Sequence, residues 1–435
     1  MTNTLLNLEW VGRFSNFKKL ILGFSGGLDS TVLLHALRSQ SVLGCKLLAV
    51  HINHGISKNA LVWQKHCEQI CSETGVEFLA FSPQFNRHAN IEEAARQARY
   101  AFFSTLMSKE TCLVLAHHGD DQAETILLQL MRGTGVDGLS GMSSWAHWNF
   151  GRLARPLLGY SRKQLEQYAR DHHLNWIEDE SNDDTHFSRN FLRHKIIPLL
   201  KFKWPKVVDT LAKTANHCQQ AQANLKALAY LDCPELASTG NRLHIEVLTK
   251  LDFDRLTNVL RVWIKNNHIK MPSTKIFHRI IHEVLLAKYD SMPVVSWKNI
   301  HIRRYQHFLY LEQSKHSSAH LPIDWLDFPK LLELNGPELC ISADISQQGL
   351  AIPYNASIQV RFRQGGERLV WHGQTKQLKK LMQTWGIPPW IRDTIPLIFI
   401  NDQLAAVPGY AISDLFYLEK ALPLRPCFTV QVQLA

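Results

Sequence analysis

The residues with the clearest capacity for chemistry lie in one short turn near the start of the chain. The apolar run at 20–22 predicts a buried strand, the residues at 25–27 predict a tight turn, and an apolar helical run follows. Such a turn presents backbone N–H groups and the positive end of a helix dipole to an anion. Two adjacent glycines alone fit an ordinary turn equally well, and this turn follows neither the Walker nor the dinucleotide-binding glycine pattern. The predicted anion loop comprises Ser25, Gly26, Gly27, Leu28, Asp29 and Ser30.

A second stretch, at 117–125, reads His-His-Gly-Asp-Asp-Gln-Ala-Glu-Thr and predicts the start of another helix. Asp121 and Glu124 are three residues apart, so they would share one face of that helix. Two carboxylates on one face could hold Mg²⁺ or an ammonium group. Helix capping, with Asp120 at the N-cap, explains one acid but not its grouping with His118 and the other charges.

Basic residues supply the opposite charge in two further segments. Arg96 and Arg99 are three apart in a predicted helix, and arginine suits phosphate oxygens or a developing negative charge. Taken alone, that segment favours a solvated helix face on which Glu92 pairs with Arg96. The segment 176–198 has an acidic loop followed by the basic start of a helix. Helix capping by Ser188 does not explain so many charges of both signs. The cations of the segment are Arg189, Arg193 and Lys195.

The strand pattern predicts that these stretches meet. Buried strands are expected at 46–52, 77–81 and 113–116, with helices around 58–74 and 91–109 between them. Strands that alternate with helices predict a parallel sheet with right-handed crossovers. Ligands of such sheets bind outside the carboxyl ends of the strands. The stretches at 25–30, 51–55 and 117–125 carry candidate functional residues, and each follows a predicted strand. We therefore expect them at one edge of the sheet.

The chain of 435 residues is long enough for two or three domains. We predict a Rossmann-like α/β domain at 1–205 and a mainly helical domain at 206–312. The helical domain would hold helices at 206–231 and 252–288 and a hairpin at 299–311. A linker or domain junction would lie within 312–355, and the linker and a small α+β domain would together form 313–435. Strands at 357–363 and 395–400 would flank a helix at 375–386 in this last domain.

The net charge of +10 and its distribution favour a polyanionic partner. The stretch from Arg361 to Arg392 contains seven Lys or Arg residues and only one acidic residue, and three tryptophans lie among them. Basic residues interleaved with aromatics suit a nucleic acid surface. A solvated basic face with core tryptophans is the alternative. A helix at 375–386 would place Lys376, Lys379 and Lys380 on one face.

Cysteine usage and hydropathy limit the class of protein. The eight cysteines are scattered without a Cys-x-x-Cys pair, which indicates free thiols and disfavours a zinc site. No apolar run reaches the roughly 18 residues of a membrane span, and the N-terminus lacks a signal-like pattern. We therefore expect a cytoplasmic protein without a membrane partner.

The motifs resemble those of one family. The segment Ser25–Ser30 resembles the loop of the PP-loop ATP pyrophosphatase superfamily, the adenine nucleotide alpha hydrolase-like fold, whose members cleave ATP between the α and β phosphates. Further segments, in the same order along the chain, resemble those of the bacterial tRNA(Ile)-lysidine synthetases. The stretch at 379–393 is similar to the terminal domain found in the long form of that family. The further segments are 51–57, 92–100, 117–125, 132–135, 155–158 and 179–193.

The resemblance implies a reaction. ATP and Mg²⁺ would serve to adenylate C2 of the wobble cytidine of a tRNA(Ile) with a CAU anticodon, because the carbonyl oxygen there is a poor leaving group. The ε-amino group of L-lysine would then displace AMP and form lysidine, which changes codon reading from AUG to AUA.

The resemblance also implies roles for individual residues. Asp29 would act at the ATP loop, Arg96 would counter charge on the phosphates, and Asp121 with Glu124 would hold the lysine. His118 is our suggestion for the base that takes the proton of lysine. Arg189 and Arg193 would lie near the nucleotide and the tRNA. The metal ligands are not assigned, and a homodimer stays open.

Three other functions remain alternatives from the residues. A tRNA thiolase of the same superfamily would need nucleophilic or cluster-binding cysteines, and none lies in the stretches that carry candidate functional residues. An amidotransferase-type synthetase would need a glutaminase domain, for which no nucleophile motif is present. A tRNA-binding protein without catalysis would not join lysine to tRNA in the presence of ATP.

Overall fold

The computed structural model describes residues 5–55, 59–83, 91–178, 185–238, 240–288, 291–313, 321–334, 339–421 and 426–434. The chain divides into two compact units, Met1–Leu228 and Ala229–Ala435. The division falls within one long helix rather than at residue 205. The three predicted domains therefore stay a prediction.

The first unit alternates strands and helices, as the sequence predicts. Its strands are β1 Lys19–Gly23, β2 Leu47–Ile52, β3 Glu77–Phe81, β4 Thr111–Val114, β5 Trp145–Trp148 and β6 Gly151–Ala154. Its helices are α1 Leu8–Ser15, α2 Leu28–Arg38, α3 Ser41–Gly44, α4 Ala60–Thr74, α5 Ile91–Thr105, α6 Gly119–Met131, α7 Val136–Leu139, α8 Arg162–Asp171, α9 Ser188–Phe191, α10 Ile197–Lys203 and the long α11 Val207–Asp232. A 3-10 turn spans Pro156–Gly159, and a π-helical turn at Leu192–Ile196 joins α9 to α10.

Alternation along the strands produces a three-layer unit. Leu20 and Leu22 of β1 pack into a core with α2 and α4, whereas Ile21 between them packs into a second core with Phe103 of α5. Successive side chains of a strand point to opposite faces, so a continuous apolar run buries both faces of the sheet. This confirms the predicted α/β architecture of the first unit.

The order of the strands positions the site. Within the described residues the sheet runs β3-β2-β1-β4-β6-β5, with β5 antiparallel and the other neighbours parallel. The order along the sheet reverses between β1 and β4, and a crevice opens at such a switch point. The loop after β1 and the loop after β4 flank that crevice. They carry the two motifs with the strongest predicted chemistry.

The second unit begins with helices packed on an antiparallel sheet of order β7-β10-β9-β8. The predicted hairpin is confirmed as β9 and β10. The helical stretch predicted at 252–288 is divided, because His268 takes a positive φ and Pro272 follows, which ends one helix before the next begins. The elements are a 3-10 turn Pro234–Ala237, β7 Arg242–His244, α12 Ile245–Thr249, α13 Phe253–Asn266, α14 Thr274–Arg279, a π-helical turn Ile280–Leu285, β8 Val294–Trp297, β9 Ile300–Tyr305 and β10 Phe308–Gln313.

The C-terminal part of this unit packs two five-stranded antiparallel sheets around one core, with a small hairpin beside them. Its strands are β11 Ile323–Asp324, β12 Leu332–Glu333, β13 Leu339–Ser346, β14 Gly349–Ala351, β15 Ile358–Phe362, β16 Arg368–Trp371, β17 Gln374–Gln377, β18 Pro396–Ile400, β19 Gln403–Val407, β20 Ala411–Ile412, β21 Tyr417–Leu418 and β22 Cys427–Leu434. Its helical elements are α15 Leu378–Thr384 and a 3-10 turn Pro389–Thr394. Within the stretch 312–355, where the sequence predicts a linker or domain junction, β13 pairs along its whole length with β22.

The basic stretch at 361–392 is less open than its sequence predicts. Arg361 pairs with Asp402, Arg363 pairs with Asp393 at 2.9 Å, and Arg392 is buried against a backbone carbonyl. The predicted three-lysine face is also wrong. Lys376 lies in strand β17 over the ring of Trp371, and only Lys379 and Lys380 lie on α15.

Two sequence expectations about the whole chain can be compared with the described residues. All eight cysteines are free, and Cys67 and Cys71 lie on the buried face of α4. No helix in the described ranges is long and apolar enough to cross a membrane.

Candidate active site

The predicted anion loop forms a closed turn between β1 and α2. Gly26 has a φ of +79°, and its carbonyl accepts a hydrogen bond from the backbone N–H of Ile177 at 2.9 Å. The Ser30 hydroxyl donates to the Gly27 carbonyl at 3.0 Å and accepts from the Ser25 N–H at 3.2 Å. Gly27 is the N-cap of α2 and has no side chain to cap the first turn. The N–H groups of that turn therefore have no side-chain acceptor at the cap and suit an anion.

We expect Gly26→Ala to destabilise the first unit by about 1–3 kcal/mol, because a side chain is strained at this positive φ. A Cβ at this position would also lie 2.7 Å from Cys67 Sγ, below contact distance. Chemical denaturation with a probe in the first unit measures the loss. Gly159→Ala is the matched control, since a Cβ there meets nothing within 4 Å. Equal stability of the two variants would contradict the expected strain.

The second motif forms the start of α6, with a correction to its cap. The N-cap is His118, whose backbone N–H donates to Asp121 Oδ2 at 3.0 Å, and the helix begins at Gly119. Asp120, predicted as the cap, lies in the first turn instead. Its carboxylate accepts from the Arg162 backbone N–H at 2.9 Å and pairs with Lys201 at 2.6 Å. The cap is His118 rather than Asp120 because the Gly119 N–H donates to the Tyr160 carbonyl at 2.7 Å, which fixes where the helix begins.

The side chain of His118 joins the two motifs. It is almost wholly buried, and its Nε2 lies 3.5 Å from Asp29 Oδ2 and 3.5 Å from Asp121 Oδ2. These separations are long for hydrogen bonds, so the carboxylates act on the ring chiefly through charge. Burial lowers the pKa of His118, but Asp29, Asp121 and Asp120 outweigh it and leave that pKa above its ordinary value. His118 therefore favours its protonated form between the acids.

Asp121 and Glu124 hold two arginines from the segment after the acidic loop. Glu124 is fully buried and accepts from Arg189 Nε at 2.6 Å and from Arg193 Nε at 2.6 Å. Asp121 Oδ1 accepts from the Nη2 atoms of Arg189 at 3.3 Å and Arg193 at 3.1 Å. Burial raises the pKa of Asp121, but His118 and Arg189 outweigh it and lower that pKa overall. Two acids and two arginines thus form one charge-balanced cluster; residues 179–184 of the segment lie outside the described residues.

A group of further cations lies on α5 and after β6. Arg96 is exposed and stacks on Tyr100, with its guanidinium carbon 5.0 Å from the ring centroid. Arg99 lies over the same ring at 5.5 Å, and the charges of Arg96 and Arg189 help burial to lower its pKa. The charge of Arg96 also acts on Arg155, whose pKa burial lowers. The predicted Arg96 and Arg99 are therefore brought together with Arg189 on one positive wall; the side chain of Glu92 lies outside the described residues.

Sequence reasoning missed two members of this wall, Arg155 and His117. Arg155 is buried and donates from Nε to His117 Nδ1 at 3.2 Å. Because arginine can only donate, Nδ1 of His117 accepts and its proton lies on Nε2. Burial and the charges of Arg155, Arg189 and Arg99 lower the pKa of His117, against the opposing effect of Asp121. The signal that could have identified Arg155 is its position directly after β6, at the same edge of the sheet as the other motifs.

His54, in the loop after β2, also lies near this wall. Burial, helped by Arg99 and His51, lowers the pKa of His54 to about 4. The neutral form is thus favoured in the fold, whereas the unfolded chain takes up a proton near pH 6.5. Below pH 6.5 the unfolded state binds more protons, so stability must fall as pH decreases from 6.5 toward 4. His118 has a raised pKa, so its contribution to the stability of the fold is fully present below pH 6.5 and is lost only above that value.

We expect His54→Asn to reduce this pH dependence by about one bound proton between pH 6.5 and 4. The measurement is the unfolding midpoint of the first unit across that range. His173→Asn serves as the control, because His173 is exposed and its positive φ suits asparagine. Parallel curves for His54→Asn and the wild type would show that His54 does not contribute to the pH dependence.

Within the described residues, no group of three or more His, Cys, Asp and Glu side chains forms a ready metal site. One feature does fit a cation brought by a substrate. Asp29 Oδ1 is buried and has no hydrogen-bond partner in the described part of the chain. Magnesium is often held by one or two carboxylates together with substrate phosphates. Asp29, at the start of α2, meets that requirement.

Comparison with known proteins covers nearly the whole chain. Residues 3–200 match the model of the PP-loop domain, 243–310 that of the TilS substrate binding domain and 358–423 that of the TilS substrate C-terminal domain. The chain is 56% identical to the tRNA(Ile)-lysidine synthase of Legionella pneumophila strain Paris, over 97% of this chain and 98% of the relative. It is 39% identical to that of Coxiella burnetii strain RSA 493, over 94% and 92%. Among solved structures, the U34-tRNA thiolase NcsA from Methanococcus maripaludis matches with a TM-score of 0.40 and 18% identity, over 49% of this chain and 75% of that one.

Proposed function

The chain belongs to the tRNA(Ile)-lysidine synthase family, and from that premise we propose that it is an ATP-dependent carbon–nitrogen ligase that converts a wobble cytidine to lysidine. ATP transfers AMP to the O2 oxygen of cytidine 34 in a tRNA(Ile) with a CAU anticodon, and pyrophosphate leaves. The ε-amino group of L-lysine then attacks C2, and AMP leaves with the oxygen. The observation that carries the proposal is the meeting of the anion loop and the α6 acid cluster at the switch point, in a chain of this family.

The first half of the reaction falls to the loop and the positive wall. We assign the phosphates of ATP to the N–H groups at 25–30 and at the start of α2, where the helix dipole favours negative charge. Asp29 fits one coordination position of Mg²⁺, which when bound would offset charge on the leaving pyrophosphate. Arg96 is an exposed cation stacked on Tyr100, and arginine suits charge that develops on phosphates during transfer.

The second half falls to the charge-balanced cluster. Free lysine carries an α-ammonium and an α-carboxylate besides its reacting amine. The cluster offers both complements, because Asp121 and Glu124 can accept from the ammonium while Arg189 and Arg193 can bind the carboxylate. We propose that lysine binds by exchanging some of these arginine–carboxylate contacts for its own. An amino acid of this charge pattern fits better than a simple amine.

The role of His118 follows from its surroundings. Its raised pKa favours the protonated ring, and a protonated ring cannot accept the proton of lysine. We therefore propose that His118 holds Asp29 and Asp121 in register across the crevice. His117, with a neutral ring and its proton on Nε2, suits donation to an oxygen that gains negative charge.

The thiolase alternative has no support from the cysteines near the site. Cys67 lies beside the loop, since a Cβ on Gly26 would lie 2.7 Å from its Sγ. Burial raises the pKa of Cys67 to about 12 and that of Cys112 to about 12. Thiols of that pKa hold too little thiolate at neutral pH to act as nucleophiles.

The test is incorporation of labelled lysine into tRNA with and without ATP. We expect transfer to a CAU-anticodon tRNA(Ile) only when ATP is present, with release of AMP and pyrophosphate in equal amounts. A transcript with uridine in place of cytidine 34 is the control substrate and should stay unlabelled. Tight tRNA binding without any transfer would overturn the ligase assignment in favour of a non-catalytic binding protein.

A further inference from the structure

The segment 187–206 exposes apolar rings on its outer side. Phe202 is 90% exposed, Trp204 58% and Phe191 45%, with Leu199 at 68% between them. Exposed single apolar residues are ordinary, but several aromatic rings along one short helical segment need an explanation. Lysines are interleaved with these rings and are also exposed. We call this outer side the 191–206 surface, and its members are Phe191, Lys195, Leu199, Phe202, Lys203, Trp204 and Lys206.

The inner side of the same segment is fixed to the active site. Arg193 pairs with Glu124, and Lys201 pairs with Asp120 at 2.6 Å. Leu192 and Ile197 are buried in one cluster with Leu127 of α6. The segment therefore lies against α6, and the 191–206 surface begins directly beside the acid cluster. A molecule that reacts at this cluster would extend over that surface.

The charge of the segment points to a polyanion. From Arg189 to Lys213 there are seven Lys or Arg residues and one acid, Asp209. Three of these cations turn inward to the acids of α6 and the others are exposed. The basic stretch at 361–392, which the sequence favoured, differs in this respect. There, Arg361 and Arg363 are paired with acids of the same unit.

We propose that the 191–206 surface binds the unpaired nucleotides next to the reacting base, with bases stacked on Phe202 and Trp204 and phosphates paired with the exposed lysines. The inference rests on the proposed function and names the surface that positions its tRNA. Chemistry at C2 of a cytidine needs access to its base-pairing edge, so that base must leave the stack. Neighbouring bases then lose stacking partners, and exposed aromatic rings replace them at about 1–3 kcal/mol per base.

The experiment separates stacking from charge. Phe202→Ala and Trp204→Ala are each expected to weaken tRNA binding about 5- to 150-fold while leaving its salt dependence unchanged. Lys203→Ala and Lys206→Ala should each lower the slope of log Kd against log salt by about 0.7–0.9. The KM values for ATP and lysine should not move in any of the four variants. Affinities are measured with the CAU-anticodon tRNA(Ile) over a range of salt concentrations.

Two controls lie at the opposite edge of the sheet. Phe150 is 75% exposed just before β6, and Lys109 is exposed just before β4. Phe150→Ala and Lys109→Ala should therefore leave tRNA affinity and its salt slope at wild-type values. They match the test variants in residue type and exposure.

Each outcome decides one proposal. Wild-type affinity and slope in all four test variants would overturn the surface assignment, even with full lysine transfer. A changed oligomeric mass with unchanged tRNA affinity would make the surface a contact between copies and would overturn it too. A wild-type protein that binds tRNA through this surface without transferring lysine would overturn the proposed function and support the surface.

Discussion

Asp29→Asn is expected to lower the rate of ATP-dependent pyrophosphate release by about 10²- to 10³-fold, the usual effect of removing one charge-stabilising group from an active site. The substitution keeps the shape of the side chain and removes its charge. Asp29 Oδ1 is a buried acceptor without a partner in the described residues, and Oδ2 faces His118. An acceptor left open in this way suits a ligand or its cation, so its loss should act on chemistry more than on folding.

The measurement is single-turnover pyrophosphate release with saturating tRNA, beside the thermal midpoint of the same preparation. Asp171→Asn, at the exposed end of α8, is the matched control and should keep full activity. Release at near the wild-type rate in Asp29→Asn would show that this carboxylate is not used. A collapse of the midpoint together with activity would assign Asp29 to folding instead.

Local patterns were enough to predict the parts of the site that depend on one strand and the turn after it. Continuous apolar runs identify β1, β2 and β4, and the turns after parallel strands must share one edge. The loop at 25–30 and the start of α6 could therefore be placed together from the sequence alone. The helix cap was wrong by two residues, because a carbonyl from Tyr160 fixes where α6 begins.

Contacts between distant segments could not be predicted in this way. Arg189 and Arg193 meet Glu124 across 65 and 69 residues, and no local pattern encodes that pairing. The same holds for β13, whose partner strand β22 lies near the end of the chain. Composition misled for a similar reason at 361–392, where nearby acids neutralise arginines that the sequence alone presents as open.

The arginine pairing changes what is expected of Glu124. The family resemblance implies only that Glu124, together with Asp121, holds the lysine. In the structure Glu124 is fully buried and is the acceptor for two guanidinium groups. Glutamine keeps one acceptor oxygen but turns an N–H₂ group toward an arginine. Removing one partner of a buried ion pair leaves the other charge uncompensated.

Glu124→Gln should therefore destabilise the first unit by about 3 kcal/mol, the lower end for a broken buried pair because the arginines are partly exposed. This corresponds to about a 150-fold lower ratio of folded to unfolded unit. Hydrogen exchange of the α6 amides measures the loss locally in the full chain. Glu166→Gln is the matched control. Its ion pair with Arg162 is 3.3 Å long with both side chains about 40% exposed, so a change below about 0.5 kcal/mol is expected.

The double variant Glu124→Gln with Arg193→Met separates stability from chemistry. Methionine keeps an apolar stem and removes the charge that Glu124→Gln leaves unpaired, so most of the lost protection of α6 should return. Lysine transfer should not return with it, because one of the two proposed partners of the ammonium and one of the two proposed partners of the carboxylate are missing. Recovery of transfer together with stability would show that the cluster only holds α6 against the segment at 188–203. Wild-type protection in Glu124→Gln alone would mean that the buried carboxylate is not what holds the arginines, and the assignment of the cluster would fall.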